Sequence, residues 1–203
     1  GYIDNAFKEK GLKILYYTPW PGQGFYTKFA VNSTSDFKGK KLRIYSTATQ
    51  KMGQMLGFNA TILPFAEIPQ AFSTGLIEAL FTSPQTGIDI QAWDNTKHFT
   101  YAGAIFSKNA VVVGEKFFSA LSAKDQSNML AAAARAELRG WEMSAATTVA
   151  QMAILKKNGM NVVNAPESVI TKMKEIGKEM MAGWRKDASP EAIAVLDRYL
   201  ALQ

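Results

Sequence analysis

The sequence predicts an α/β fold, and three features of it carry that reading. Short apolar runs of strand length alternate with helical patterns through the first half. Glycine- and proline-marked turns separate them. The second half contains a proline-free, alanine-rich stretch with apolar residues at helical spacing.

Residues 12–17 read as the first strand, and the turn-rich Pro19-Trp20-Pro21-Gly22-Gln23-Gly24 ends it. A second extended run covers residues 25–31, a polar loop leads to Gly39, and residues 41–45 form the next strand. Thr47 or Thr49 then caps a helix that carries Met52, Met55 and Leu56 on one face and stops at Gly57. A strand at 61–63, a helix from about 66 to 74 with Pro69 in its first turn, and a strand at 77–82 repeat the unit on a largely parallel sheet.

Residues 99–113 form a second strand region interrupted by Ser107-Lys108-Asn109, and Ser122-Ala-Lys-Asp125 has the spacing of a capping box. The helix it opens runs from 123 to about 158, which at 1.5 Å per residue is over about 50 Å. Gly159 stops it, residues 160–163 offer one more strand, and Pro166 starts a further helix. Ser189 caps the last helix, with Pro190 in its first position.

Composition narrows the function. The chain has 203 residues, 47% hydrophobic and 20% charged, the profile of a globular protein. No run of apolar residues reaches the length a membrane-spanning helix needs. The first ten residues lack the basic-then-apolar pattern of a secretory signal, so any signal lies upstream of them. With no cysteine, disulfides, thiolate metal sites and thiol catalysis are excluded. The net charge of +6 comes from 23 Lys and Arg scattered among 17 acids, without the clustered basic face that nucleic acid requires.

Enzyme motifs are missing. The single histidine, His98, has no motif around it, and there is no nucleophile elbow, zinc-binding His-Glu-x-x-His or phosphate loop. Gly22-Gln-Gly24 reads as a turn rather than a dinucleotide site. No cofactor and no metal is expected.

Arg43 stands apart because it lies between the apolar neighbours of a strand, and a buried guanidinium is costly unless an anion completes it. Either it reaches water from an edge strand, or its partner is an acid of the chain, such as Asp36 or Glu67, or a ligand. Tyr45 follows on the same side of the strand, and the turn 46–49 lies at the strand's C-terminal end, where open α/β sheets bind ligands.

The string Asp36-Phe-Lys-Gly-Lys-Lys-Leu-Arg-Ile-Tyr45, followed by Met55-Leu-Gly-Phe58, Leu63-Pro-Phe-Ala-Glu-Ile68 and Ala71-Phe-Ser-Thr-Gly-Leu-Ile-Glu78, resembles the solute-binding proteins of tripartite ATP-independent periplasmic (TRAP) transporters, the DctP-type family. Phe81-Thr-Ser-Pro-Gln-Thr-Gly-Ile-Asp89, Trp93-Asp94, the Ser122 capping box with its long helix and Gly159-Met-Asn-Val-Val163 extend the likeness over essentially the whole chain.

The resemblance implies a periplasmic-binding-protein-like fold, with one nearly complete lobe and part of a second joined by a very long helix. Residues 20–107 would form the ligand-gripping α/β lobe. Residues 1–19 and 108–203 would form a partial second lobe, with the bridging helix at about 122–158, C-terminal helices, and hinges near 17–20 and 106–110. It also implies that the chain lacks the family's N-terminal part.

The implied function is an extracytoplasmic solute-binding component, periplasmic and not an enzyme, that captures a small organic carboxylate and delivers it to a TRAP membrane permease. In the family the arginine that maps to Arg43 forms a salt bridge with the ligand carboxylate. Thr82 and Ser83 stand where the family has a hydrogen-bonding asparagine. Trp20, Phe25, Tyr45, Phe65 and Trp93 suggest aromatic pocket walls. No second arginine occupies the loop 20–26, which points to a monocarboxylate. The alternatives are an α/β enzyme acting on a carboxylate and a binding protein that feeds a sensor.

Overall fold

Alternation of side chains along short buried strands builds the larger of two units. The computed structural model describes residues 1–202. Contacts divide the chain into one unit made of Pro21–Ser107 and Ala146–Met180, and another made of Gly1–Trp20, Lys108–Ala145 and the segment from Met181 onward.

The first of these holds six strands, β2 (Gln23–Thr27), β3 (Lys41–Ile44), β4 (Asn59–Ile62), β5 (Ala79–Thr82), β6 (His98–Ala104) and β8 (Asn161–Asn164), in the order β4-β3-β5-β2-β6-β8. β4, β3 and β5 are mutually parallel, as are β6 and β8, whereas β2 is antiparallel to both β5 and β6. Five strands therefore end on one rim, and β2 begins there. The expected parallel sheet is thus interrupted by one reversed strand in its middle.

Both faces of this sheet are covered, as its parallel portions require. One face carries Phe25, Leu42, Ile44 and Phe81 against Met52 and Leu56 around α2 (Thr47–Met55), with Val169 and Ile176 of α7 (Glu167–Asp187). The other carries Tyr26, Leu80 and Phe99 against Ile68 and Phe72 of α3 (Ile68–Ser73), with Leu155 of α6 (Ala123–Lys157) and Met160. On β2 the period of two sends Phe25 to the first core and Tyr26 to the second. On β3 it sends Leu42 and Ile44 to the first and leaves Arg43 facing the other way.

Two glycines let β2 approach β6. A Cβ on Gly24 would stand 2.5 Å from the Thr100 carbonyl oxygen, and one on Gly22 would stand 2.8 Å from the Tyr101 hydroxyl. The register slips between Gln23 and Gly24, which face Ala104 and Tyr101. The slip marks a bulge in β6, where Gly103 has φ +61°.

The second unit pairs β1 (Leu12–Pro19) with β7 (Lys108–Gly114) in an antiparallel ribbon. It also holds α1 (Tyr2–Lys8), α5 (Glu115–Ser119), the first part of α6, the end of α7 and α8 (Pro190–Leu200). Lys108 stacks on Tyr17 with its Nζ 4.1 Å from the ring centre. Ser122 and Asp125 form the expected cap at the start of α6: the Ser122 hydroxyl accepts from the Asp125 N–H at 3.1 Å and donates to its carboxylate at 2.7 Å.

Several expectations are corrected. The second extended run ends at Thr27, because the Thr27 hydroxyl turns back to the Phe29 carbonyl at 2.6 Å. The cap of α2 is Ser46, in a reciprocal box with Thr49. The short helices α1, α4 (Pro84–Asp89) and α5 add to the expected elements. Residues 146–180, expected in the second lobe with the rest of 108–203, join the unit of Pro21–Ser107, because β8 pairs with β6 and Val169 and Ile176 enter its core.

Candidate functional site

The rim where five strands end holds Gln23, Arg43, Tyr45, Thr82 and Ser83. Arg43 is only 4% exposed, yet among the described residues no Asp or Glu pairs with it. Its Nε–H donates to the Leu63 carbonyl at 3.0 Å, just past the end of β4. That bond fixes the stem and leaves the terminal N–H groups, which form the fork that matches a carboxylate. The guanidinium carbon lies 5.9 Å from the centre of the Tyr45 ring. Burial pulls the guanidinium below its ordinary value, and Tyr45 acts in the opposite direction. It remains a cation, since arginine is not deprotonated in proteins.

Tyr45 sits just beyond β3, and its hydroxyl donates to Gln23 Oε1 at 3.0 Å. Burial pushes its phenol up, and the charge of Arg43 opposes that shift. Gln23, at the start of the reversed strand, is buried and donates through Nε2 to the Ile105 carbonyl at 3.0 Å. Ile105 has φ +56°, a left-handed conformation uncommon for a β-branched residue. A cavity of about 460 Å³ adjoins this rim, lined by Tyr45, Ser46, Thr49, Ile105 and the methionines of α2 and α7, Met52, Met173 and Met180. It is mainly apolar, and Arg43 does not line it.

The expected site residues divide. Arg43 and Tyr45 are brought together. Thr82 ends β5 on the same rim and is buried. Ser83 is buried there as well, but its hydroxyl is occupied as the cap of α4, accepting from the Thr86 N–H at 3.2 Å and facing the Thr86 hydroxyl at 3.0 Å.

Two of the five aromatics expected as pocket walls, Phe25 and Trp93, pack into the cores instead. Phe25 is fully buried among Phe37, Phe58 and Phe81, with ring centres 4.8–5.9 Å away, and is a core residue. Trp93 packs against the second core beside Ile88 and Ile90. Phe65 is 52% exposed on a single 3-10 turn and lines no described cavity, and Trp20 falls in the other unit. Gln23 joins the site without having stood out in the sequence. Its one signal there is an amide between two glycines at the start of an otherwise apolar strand.

Residues 2–187 match the DctP family, described as bacterial extracellular solute-binding protein, family 7. Among solved structures, DctP7, a Bordetella pertussis extracytoplasmic solute receptor binding pyroglutamic acid, is 37% identical with a TM-score of 0.95, over 98% of this chain and 66% of its own. DctP6 of Bordetella pertussis, also binding pyroglutamic acid, is 32% identical with a TM-score of 0.94, over the same shares of 98% and 66%. A marine metagenome TRAP solute binding protein specific for pyroglutamate is 31% identical with a TM-score of 0.93, again over 98% and 66%. This chain thus spans 66% of the length of these similar proteins.

Proposed function

The chain belongs to the DctP family of bacterial extracellular solute-binding proteins, and from that premise we propose that it grips a small organic monocarboxylate, of which pyroglutamate is the leading candidate, for delivery to a TRAP membrane permease from the periplasm. Three solute receptors 31–37% identical to it carry pyroglutamate as their ligand, which supports the choice. The fold is the α/β architecture of TRAP periplasmic binding proteins. Among the described residues no helix is long and apolar enough to cross a membrane.

The observation that carries the reading is Arg43, a buried guanidinium with one N–H spent on Leu63 and no acidic partner among the described residues. A cation so placed calls for an anion from outside, because burying it unpaired costs several kcal/mol, on the order of what a paired charge recovers. Among Gln23, Arg43, Tyr45, Thr82 and Ser83 of this rim, Arg43 is the one cation, which matches a ligand with a single carboxylate.

Isothermal titration of the purified protein with pyroglutamate tests this, beside Arg43→Ala and Arg43→Lys. Alanine is expected to weaken binding by about 2–5 kcal/mol while circular dichroism stays native. Lysine should restore only part, since one ammonium cannot reproduce two parallel N–H bonds. Undiminished affinity in a folded Arg43→Ala protein would overturn the carboxylate clamp.

A further inference from the structure

Behind Arg43 lies a hydrogen-bond chain whose direction is fixed by chemistry, and its part in ligand binding rests on the reading of Arg43 as a carboxylate clamp. The Ile105 carbonyl can only accept, so the Gln23 amide must turn its Nε2 toward it, at 3.0 Å. Gln23 Oε1 is then the acceptor for Tyr45, whose hydroxyl has to donate, at 3.0 Å. Gln23 is 3% exposed, so water does not compete for either end of the amide. A phenol that donates its proton is polarised, its ring face becomes more negative, and a cation over that face is held more firmly. That cation is Arg43.

The far end of the chain is also restrained. Ile105 holds a left-handed conformation that costs a branched residue energy, and Gln23 grips its carbonyl in that conformation. Gln23 itself is seated where Gly22 and Gly24 admit close backbone approach to β6. None of these three residues can turn without breaking a bond to the next.

We propose that Gln23 and Tyr45 are positioning residues for Arg43, a directed relay from the Ile105 carbonyl that orients the guanidinium before ligand arrives. With Nε–H on the Leu63 carbonyl and the plane held over Tyr45, the terminal nitrogens face the ligand as a preset fork. Ligand affinity then depends on the relay behind Arg43 as well as on the groups that touch the ligand.

The test uses Tyr45→Phe, which keeps the ring and removes only the donor, with Gln23→Met as a near-isosteric second variant. The first readout is the Arg43 Nε–H signal in nitrogen-15 spectra of the ligand-free protein, which a role in bulk stability alone would leave in place. In Tyr45→Phe that signal is expected to shift and exchange faster, and the Kd for pyroglutamate to rise roughly three- to tenfold, the equivalent of one lost hydrogen bond. Because the relay acts as a unit, the double variant should bind no more weakly than the weaker single variant. An unchanged Nε–H signal in folded Tyr45→Phe overturns the relay whatever ligand is bound, and fully additive losses in the double variant do the same. If Gln23→Met does not fold, Tyr45→Phe decides alone. A wild-type protein that ignores pyroglutamate and other monocarboxylates, while Tyr45→Phe still moves the Arg43 signal, would sink the ligand reading and keep the relay.

Discussion

At Gly87 one added carbon decides whether α4 can rest on β2, because a Cβ there would overlap the Tyr26 hydroxyl. Tyr26 is fully buried and its hydroxyl reaches the Ser83 and Pro84 carbonyls at 3.2 and 3.4 Å. Burial alone drives its phenol well above the ordinary value, so it stays a neutral donor. Gly87→Ala is therefore expected to destabilise the fold by about 1–3 kcal/mol in urea melts, the cost of overpacking, and added Tyr26→Phe should recover little of it, because the ring carbons Cζ and Cε1 would still overlap the added Cβ. Asp36 offers a test by pH. Its carboxylate accepts from the Asn32 and Ser33 backbone N–H groups at 2.8 and 2.9 Å, and these bonds lower its pKa from the ordinary 3.8. A depressed folded value means stability that is present above the ordinary pKa and lost as pH falls through the folded one. Urea midpoints followed downward from about pH 5 should fall less steeply in Asp36→Asn than in the wild type. Arg43 is legible in the sequence because a guanidinium between Leu42 and Ile44 has no comfortable place in a core. Phe25 and Trp93 are not legible as core residues, since a ring lining a cavity and a ring filling a core have the same sequence signature.

Among the elements, α6 shows what local pattern can establish. Its 35 residues pass from one unit into the other at Ala145 and Ala146 without a break, and its length is readable because no proline and many alanines leave nothing to stop it. Its start depends on Ser122, which satisfies an otherwise unpaired N–H of the first turn. Ser122→Ala should cost about 1 kcal/mol, which in a chain of this size lowers the Tm by about 2–4 °C in a calorimetric scan. An unchanged Tm would mean that tertiary packing alone holds that end. The short helices α1, α4 and α5 escape a sequence reading because one or two turns contain too few residues to display a period. The reversal of β2 escapes for a different reason: its five residues are buried on both faces, and a strand so placed reads alike in either direction.

For the molecule as a whole, occupancy and stability are linked, since a ligand that binds only the folded state stabilises it by about 2.7 kcal/mol at one hundred times its Kd. Pyroglutamate should accordingly raise the wild-type Tm and leave that of Arg43→Ala unmoved at the same concentration, which a thermal-shift titration reads directly. The α/β class is legible from the alternation of strand and helix patterns, whereas the division into units is not, because it turns on where residues 146–180 pack. The central position of β2 has a consequence in time as well as in space. Gln23–Thr27 leaves the ribosome well before either neighbour, Ala79–Thr82 on one side and His98–Ala104 on the other, and the edge strand Asn161–Asn164 comes later still. Until then a five-residue segment destined to be wholly buried waits with its backbone unpaired. Pairings so distant along the chain slow folding and prolong the exposure of sticky surface, so the nascent chain carries its own aggregation hazard in the strand that ends up best protected.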